Sequence, residues 1–187
     1  FWYSQKMNYS LVKHENPEAP LVFVIAGTGA SHGSAKMKVL QKTLYGQGYH
    51  VISIASPTFA NYIVAASAEG EIIGDLEKNA INLHKIMQKL LSAVKEDEGI
   101  SPKSFSLTGY SLGGAHSAYV AKVDDVEKVF NFEKIVLINP PASLYNSVSI
   151  LDGYLDLKNN GPKVHAMLSH VFERFAEVYA SQESSRL

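Results

Sequence analysis

A tight turn between a strand and a helix, within residues 104–119, constrains the fold more than any other part of the sequence. The segment reads Ser-Phe-Ser-Leu-Thr-Gly-Tyr-Ser-Leu-Gly-Gly-Ala-His-Ser-Ala-Tyr, in which a short β-type run ends at Gly109 and small helix-forming residues begin at Ser111. A serine in such a turn is forced into a strained backbone conformation that exposes its hydroxyl group. The flanking positions must lack side chains because the strand and the helix nearly touch. Gly109 and Gly113 meet that requirement.

Strands that alternate with helices on both sides of this turn predict a parallel sheet with helices on both faces. Continuous apolar runs, which are typical of buried strands, occur at residues 21–26, 49–55 and 134–138. Helical spacing of apolar residues occurs at 34–45, 63–68, 75–94 and 111–121, and residues 1–14 suggest a short hairpin. The expected fold class is therefore α/β, a three-layer α/β/α sandwich with a mostly parallel sheet.

The composition argues against several classes of function. The formal net charge is −1 over 187 residues and the basic residues are dispersed, so no patch for nucleic acid is expected. No apolar stretch approaches the ~20 residues of a membrane span. The absence of cysteine excludes disulfides and thiolate chemistry but leaves both cytoplasm and periplasm open. No group of His, Asp or Glu has metal-ligand spacing, so no metal is expected.

The pattern Gly109-x-Ser111-x-Gly113, placed between a predicted strand and a predicted helix, resembles the nucleophile elbow of the α/β-hydrolase family. The resemblance covers residues 8–140. It implies that Ser111 is the nucleophile of an esterase- or lipase-like serine hydrolase, which forms an acyl-enzyme intermediate with an ester or a related small acyl substrate.

The same resemblance implies two backbone donors for the oxyanion that develops during acyl transfer. One is the N–H group of Leu112, the residue after the nucleophile. The other lies in the turn after the strand at 21–26 and is assigned to Thr28, with Gly29 as the near alternative. The family often has His-Gly before this point, whereas this chain has Ala26-Gly27.

In the family, the acid and the histidine of the triad follow later strands than this chain contains. We therefore expect both to lie beyond residue 187, in a longer protein of which this chain is an inactive piece. The candidates within the chain are His170 and His165 for the base and Asp152 and Asp156 for the acid. All four also fit exposed positions on helices.

The other histidines are expected to have different roles. His32 and His116 fall near the nucleophile without being its base, whereas His14, His50 and His84 are expected at solvated or edge positions. Asp124 and Asp125 are expected to form a turn or a helix cap, and Asp75 is expected to cap the helix at 75–94.

Two regions complete the expected organisation. Residues 1–141 form the hydrolase core, and residues 142–187 form a cap-like segment with helices at 148–157 and 164–179. The irregular, aromatic stretch at 57–62 is expected to line a cleft, which favours an uncharged acyl substrate.

Two alternatives come from other classes of protein. Gly27-x-Gly29-x-x-x-Gly33 resembles a dinucleotide-binding turn. However, its third glycine is one residue too far along, and Ala55-Ser56-Pro57 stands where an acidic residue is expected. No cofactor is therefore expected. The second alternative is a binding protein that keeps the hydrolase fold without catalysis.

Overall fold

The computed structural model describes residues 6–156, 161–170 and 172–174. They divide into two compact units, with the boundary between Pro141 and Ala142. The strands of the first unit are β1 (Tyr9–Val12), β2 (Leu21–Ile25), β3 (His50–Ile54), β4 (Phe105–Tyr110) and β5 (Lys134–Ile138). They form one sheet in the order β1-β3-β2-β4-β5. Only β1 runs antiparallel to its neighbour.

Four helices accompany this sheet, α1 (Ala35–Gly46), α2 (Ala60–Ala66), α3 (Leu76–Glu98) and α4 (Leu112–Glu127). The second unit contains α5 (Leu144–Leu155), and residues 161–170 and 172–174 are also helical. The rest of the helix expected at 164–179 lies outside the described residues. Within the described part of the chain, no helix is long and apolar enough to cross a membrane.

The burial of the central strand β2 on both of its faces confirms the expected three-layer arrangement. All five of its residues are buried, and successive side chains point to opposite faces of the sheet. Leu21, Phe23 and Ile25 belong to an apolar cluster that includes residues of α3 and α4, whereas Val22 and Val24 pack with residues of α1. A strand covered on both faces has no polar face, which explains its continuous apolar run.

The long helix α3 begins at the cap that its sequence predicts and extends four residues beyond Val94. Its N-cap residue is Asp75, whose side chain accepts a hydrogen bond from the Lys78 N–H at 3.2 Å. Its C-cap residue, Gly99, has φ 66°, the left-handed conformation that glycine adopts without strain. The predicted N-cap is therefore confirmed.

A buried pair joins α3 to α4. His84 Nε2 lies 2.9 Å from Asp124 Oδ1, and the N–H groups of Phe130 and Asn131 donate to the same carboxylate. Burial alone would raise the pKa of Asp124, but the hydrogen bonds from His84 and from the two N–H groups hold it below its ordinary value. The expectation that His84 is solvated was therefore wrong. The expectation that Asp124 and Asp125 form a turn or a helix cap was also wrong, because both residues lie inside α4.

The described part of the hairpin predicted at residues 1–14 contains β1, which pairs antiparallel with β3. The other strand of that hairpin would fall on residues 1–5, which lie outside the described residues. One expectation at the other sheet edge was wrong. The run at 134–138 was expected to be buried, but every residue of β5 is exposed. Among the described strands only β4 pairs with β5, so one edge of β5 has no neighbour there.

Candidate active site

Ser111 connects the end of β4 to the start of α4 in a strained conformation. Its φ is 54° and its ψ is −127°, a region that costs a residue other than glycine roughly 1–3 kcal/mol. Its N–H donates to the carbonyl oxygen of Ile138 at 2.9 Å, and its own carbonyl accepts from the Gly114 N–H at 2.9 Å. The residue is exposed and its side chain does not cap the helix. The turn therefore holds an accessible hydroxyl on a fixed backbone.

Two glycines allow three backbone segments to touch around this serine. A Cβ atom on Gly109 would collide with the carbonyl oxygen of Gly113 and would lie 2.6 Å from Ser117 Oγ. A Cβ atom on Gly113 would collide with the carbonyl oxygen of Ile25 and would lie 2.8 Å from the carbonyl carbon of Ala26. The first turn of α4 thus lies directly against the end of β2.

The loop that follows β2 also packs against the serine turn. A Cβ atom on Gly27 would lie 2.6 Å from the ring atom Cε2 of Tyr110. The Ala30 N–H donates to the Gly27 carbonyl at 3.0 Å and closes a four-residue turn with Thr28 and Gly29 at its centre. Gly29 has φ 63°, which a type II turn requires at that position.

Backbone donors from both segments are available near Ser111. Leu112 is the first residue of α4, where an N–H group has no acceptor within the helix and the helix dipole favours an anion. The Gly29 N–H is occupied, since it donates to Thr58 Oγ1 at 2.8 Å. The Thr28 N–H makes no hydrogen bond within the described residues. Such donors can stabilise an oxyanion formed on a carbonyl beside Ser111.

His116, on α4, is close to Ser111 in sequence but is unsuited to act as its base. The ring is buried, and Nδ1 lies 3.0 Å from the carbonyl oxygen of Leu112, to which it can donate. Its Nε2 is buried and has no partner in the described part of the chain. Burial lowers the pKa of His116 to about 4, so the ring is neutral at pH 7.

His32 anchors the loop after β2 to its surroundings. Its Nδ1 lies 2.6 Å from Ser10 Oγ on β1, and its carbonyl oxygen accepts from Gln41 Nε2 on α1 at 3.3 Å. Burial lowers the pKa of His32.

His50, which was expected at a solvated or edge position, is fully buried, and its Nδ1 accepts the His14 N–H at 3.0 Å. That expectation was wrong because the first residue of β3 lies under the loop that contains His14.

The candidates for the triad acid and base all lie in the second unit. Asp152 is exposed on α5, and Asp156 directly follows that helix. His165 and His170 are exposed on helical residues 161–170. Among the described residues, no histidine is hydrogen-bonded to Ser111 Oγ. These four assignments stay predictions.

The aromatic residues at 57–62 do not line a cleft. Tyr62 is fully buried in the larger apolar cluster, and Phe59 packs against the same cluster. Asn61 is buried as well and accepts the Asn8 N–H at 3.0 Å. The expectation was wrong because α2 begins at Ala60, which turns these side chains toward the core.

Comparisons with known proteins agree with this architecture. No protein-family model matches the sequence, and no curated protein matches it. Among solved structures, a probable hydrolytic enzyme from Pseudomonas aeruginosa matches 71% of this chain with a TM-score of 0.51 and 20% sequence identity. The fold is that of the α/β-hydrolases.

Two further solved structures with the α/β-hydrolase fold resemble the chain less closely. Est1E from Butyrivibrio proteoclasticus matches 72% of this chain with a TM-score of 0.47 and 15% identity. A thioesterase domain from the curacin biosynthetic pathway matches 80% of it with a TM-score of 0.40 and 15% identity. The match spans 36%, 49% and 52% of the lengths of these three proteins.

We expect Gly109→Ala to destabilise the protein by at least about 2 kcal/mol, because the added methyl group collides with backbone that cannot move independently. Gly46→Ala is the matched control, since a Cβ atom there meets no atom within 4 Å. Urea denaturation measures both free energies of unfolding. Equal values for the two variants would contradict the packing described for the serine turn.

The neutral ring of His116 predicts a pH dependence of stability. Its pKa is about 4 in the folded state and about 6.5 when unfolded, so only the unfolded chain binds the proton between these values. Stability should therefore fall by up to about 3 kcal/mol as the pH drops from 6.5 to 4.

His116→Asn should remove this part of the pH dependence, whereas His165→Asn, an exposed control, should leave it unchanged. Urea denaturation at pH 7 and at pH 4.5 compares the three proteins. Parallel loss of stability in wild type and His116→Asn would show that His116 is not held neutral.

Proposed function

We propose that the protein is a serine hydrolase that acts on an ester or a related acyl compound, with Ser111 as the nucleophile. One observation carries the proposal: an exposed serine with φ 54° lies between β4 and the N-terminus of α4. A residue other than glycine is held in such a conformation only where the surrounding structure requires it, which is often at an active site. The α/β-hydrolase fold supports the same assignment.

The chemistry follows from the groups around Ser111. A base removes the proton from Ser111 Oγ as this oxygen attacks the substrate carbonyl carbon. The N–H groups of Leu112 and Thr28 donate to the oxyanion of the tetrahedral intermediate. Collapse of that intermediate expels the leaving group, which takes the proton from the base, and leaves an acyl group on Ser111. A water molecule then attacks the acyl group in the same way, which releases the carboxylic acid product and restores Ser111.

The base and acid belong to this proposal as well. The candidates for the base are His170 and His165, and the candidates for the acid are Asp152 and Asp156. His116 takes neither role, because its ring is buried and its Nδ1 is bonded to the helix backbone.

Packing explains the glycines of the competing dinucleotide-binding motif. Gly27 lies against the Tyr110 ring, and Gly29 serves the turn conformation. The third glycine, Gly33, has open space around it and precedes α1 by more than one residue. It therefore does not supply the close contact between helix and strand for which a dinucleotide site uses its last glycine. These contacts favour the hydrolase over a nucleotide-binding domain.

A fluorophosphonate probe tests the proposed nucleophile. The protein expressed from its complete reading frame should be labelled at Ser111, because the probe reacts with serines that a base activates. Peptide mapping by mass spectrometry locates the label. Ser111→Ala should abolish labelling, and Ser101→Ala, an exposed serine outside the turn, should not change it.

Two results would contradict this proposal. An unlabelled wild-type protein, correctly folded by circular dichroism, would favour the non-catalytic binding protein with a hydrolase fold. Labelling that persists in Ser111→Ala would place the nucleophile elsewhere.

A further inference from the structure

The side chain of Thr58 reaches across from the loop after β3 to the turn that carries the proposed oxyanion donor. Its Oγ1 accepts the Gly29 N–H at 2.8 Å, a contact between residues 29 positions apart. The Gly29 N–H belongs to the central peptide of the turn closed by Gly27 and Ala30. Thr58 therefore bonds to the peptide unit that distinguishes one turn type from another.

This hydrogen bond matters because it directly fixes the peptide unit between Thr28 and Gly29. A Cβ atom at that position would meet no atom within 4 Å, and glycine has the greatest backbone freedom of any residue. Types I and II of the β-turn differ by rotation of the central peptide. Loss of the bond would allow that peptide to rotate and would loosen the adjoining Thr28 N–H.

Thr58 is itself held in place. Ser56 Oγ lies 2.8 Å from Thr58 Oγ1 and accepts the Thr58 N–H at 3.3 Å. Ser56 is fully buried, and its N–H donates to the Ala30 carbonyl at 3.0 Å. The two loops are thus joined by a backbone-to-side-chain hydrogen bond at Gly29 and a backbone hydrogen bond at Ala30.

We propose that Thr58 is a positioning residue, whose hydroxyl holds the Thr28–Gly29 turn so that the Thr28 N–H, and not that of Gly29, donates to the oxyanion. This inference rests on the proposed function of Ser111. Oxyanion donors act without reorganisation only when their positions are fixed before the reaction. Thr58 supplies that fixation from outside the loop.

Thr58→Val tests the proposal, because valine has nearly the shape of threonine but cannot accept a hydrogen bond. The readout is the labelling of Ser111 by the fluorophosphonate in the full-length protein, separated into reversible affinity and the rate of phosphonylation. We expect Thr58→Val to slow phosphonylation by about 10-fold or more with little change in affinity. Thr58→Ser, which keeps the acceptor, should stay within about 3-fold of wild type.

Thr108→Val is the matched control, since Thr108 Oγ1 donates to the Val136 carbonyl at 2.8 Å within the sheet. It removes a comparable hydrogen bond and should leave the phosphonylation rate close to that of wild type. Amide hydrogen exchange provides a second readout, because the Gly29 N–H should exchange faster in Thr58→Val and should stay protected in Thr58→Ser and Thr108→Val.

Three outcomes would overturn the positioning role. If Thr58→Val were labelled at the wild-type rate, the proposal for Ser111 would still hold, but Thr58 would have no positioning role. Equal slowing in Thr58→Ser and Thr58→Val, or in Thr108→Val, would show that the Thr58 hydroxyl is not the cause. Absence of labelling in the wild type would instead overturn the proposed function and this inference with it.

Discussion

The site depends on direct backbone contact between the first turn of α4 and the ends of β2 and β4. Gly109 and Gly113 make this contact possible, since any side chain at either position would collide with a carbonyl group. The contact places the N-terminus of a helix beside the loop that follows β2. It also leaves Ser111 no relaxed conformation, and hydrogen bonds to Ile138 and from Gly114 hold it in the strained one.

Backbone dipoles contribute to the electrostatic character of the proposed site. The N-terminus of α4 carries a partial positive charge, and the Thr28 N–H is the proposed second donor from the neighbouring loop. The nearest histidine in sequence, His116, adds no charge at neutral pH because burial lowers its pKa to about 4. A site of this kind is suited to an anion that forms during a reaction, since its donors are fixed before the charge appears.

The sequence predicted features that depend on local pattern. The apolar run of β2, the capping by Asp75 and the strand-turn-helix order around Ser111 can all be recognised from neighbouring residues. Long-range contacts could not be predicted in this way. The His84–Asp124 pair joins residues 40 positions apart, and the Gly29–Thr58 bond joins residues 29 apart. The exposed strand β5 has the same apolar pattern as a buried strand. Its exposure could not be predicted, because the pattern alone does not reveal whether a strand has two neighbours.

A crystal structure of the protein after reaction with a fluorophosphonate would show whether Ser111 is the nucleophile and which groups face the oxyanion. We expect a covalent bond between phosphorus and Ser111 Oγ. We also expect the phosphonyl oxygen to lie about 2.7–3.1 Å from the N–H nitrogens of Leu112 and Thr28. An unmodified Ser111, or an adduct whose oxygen points away from both donors, would contradict this expectation.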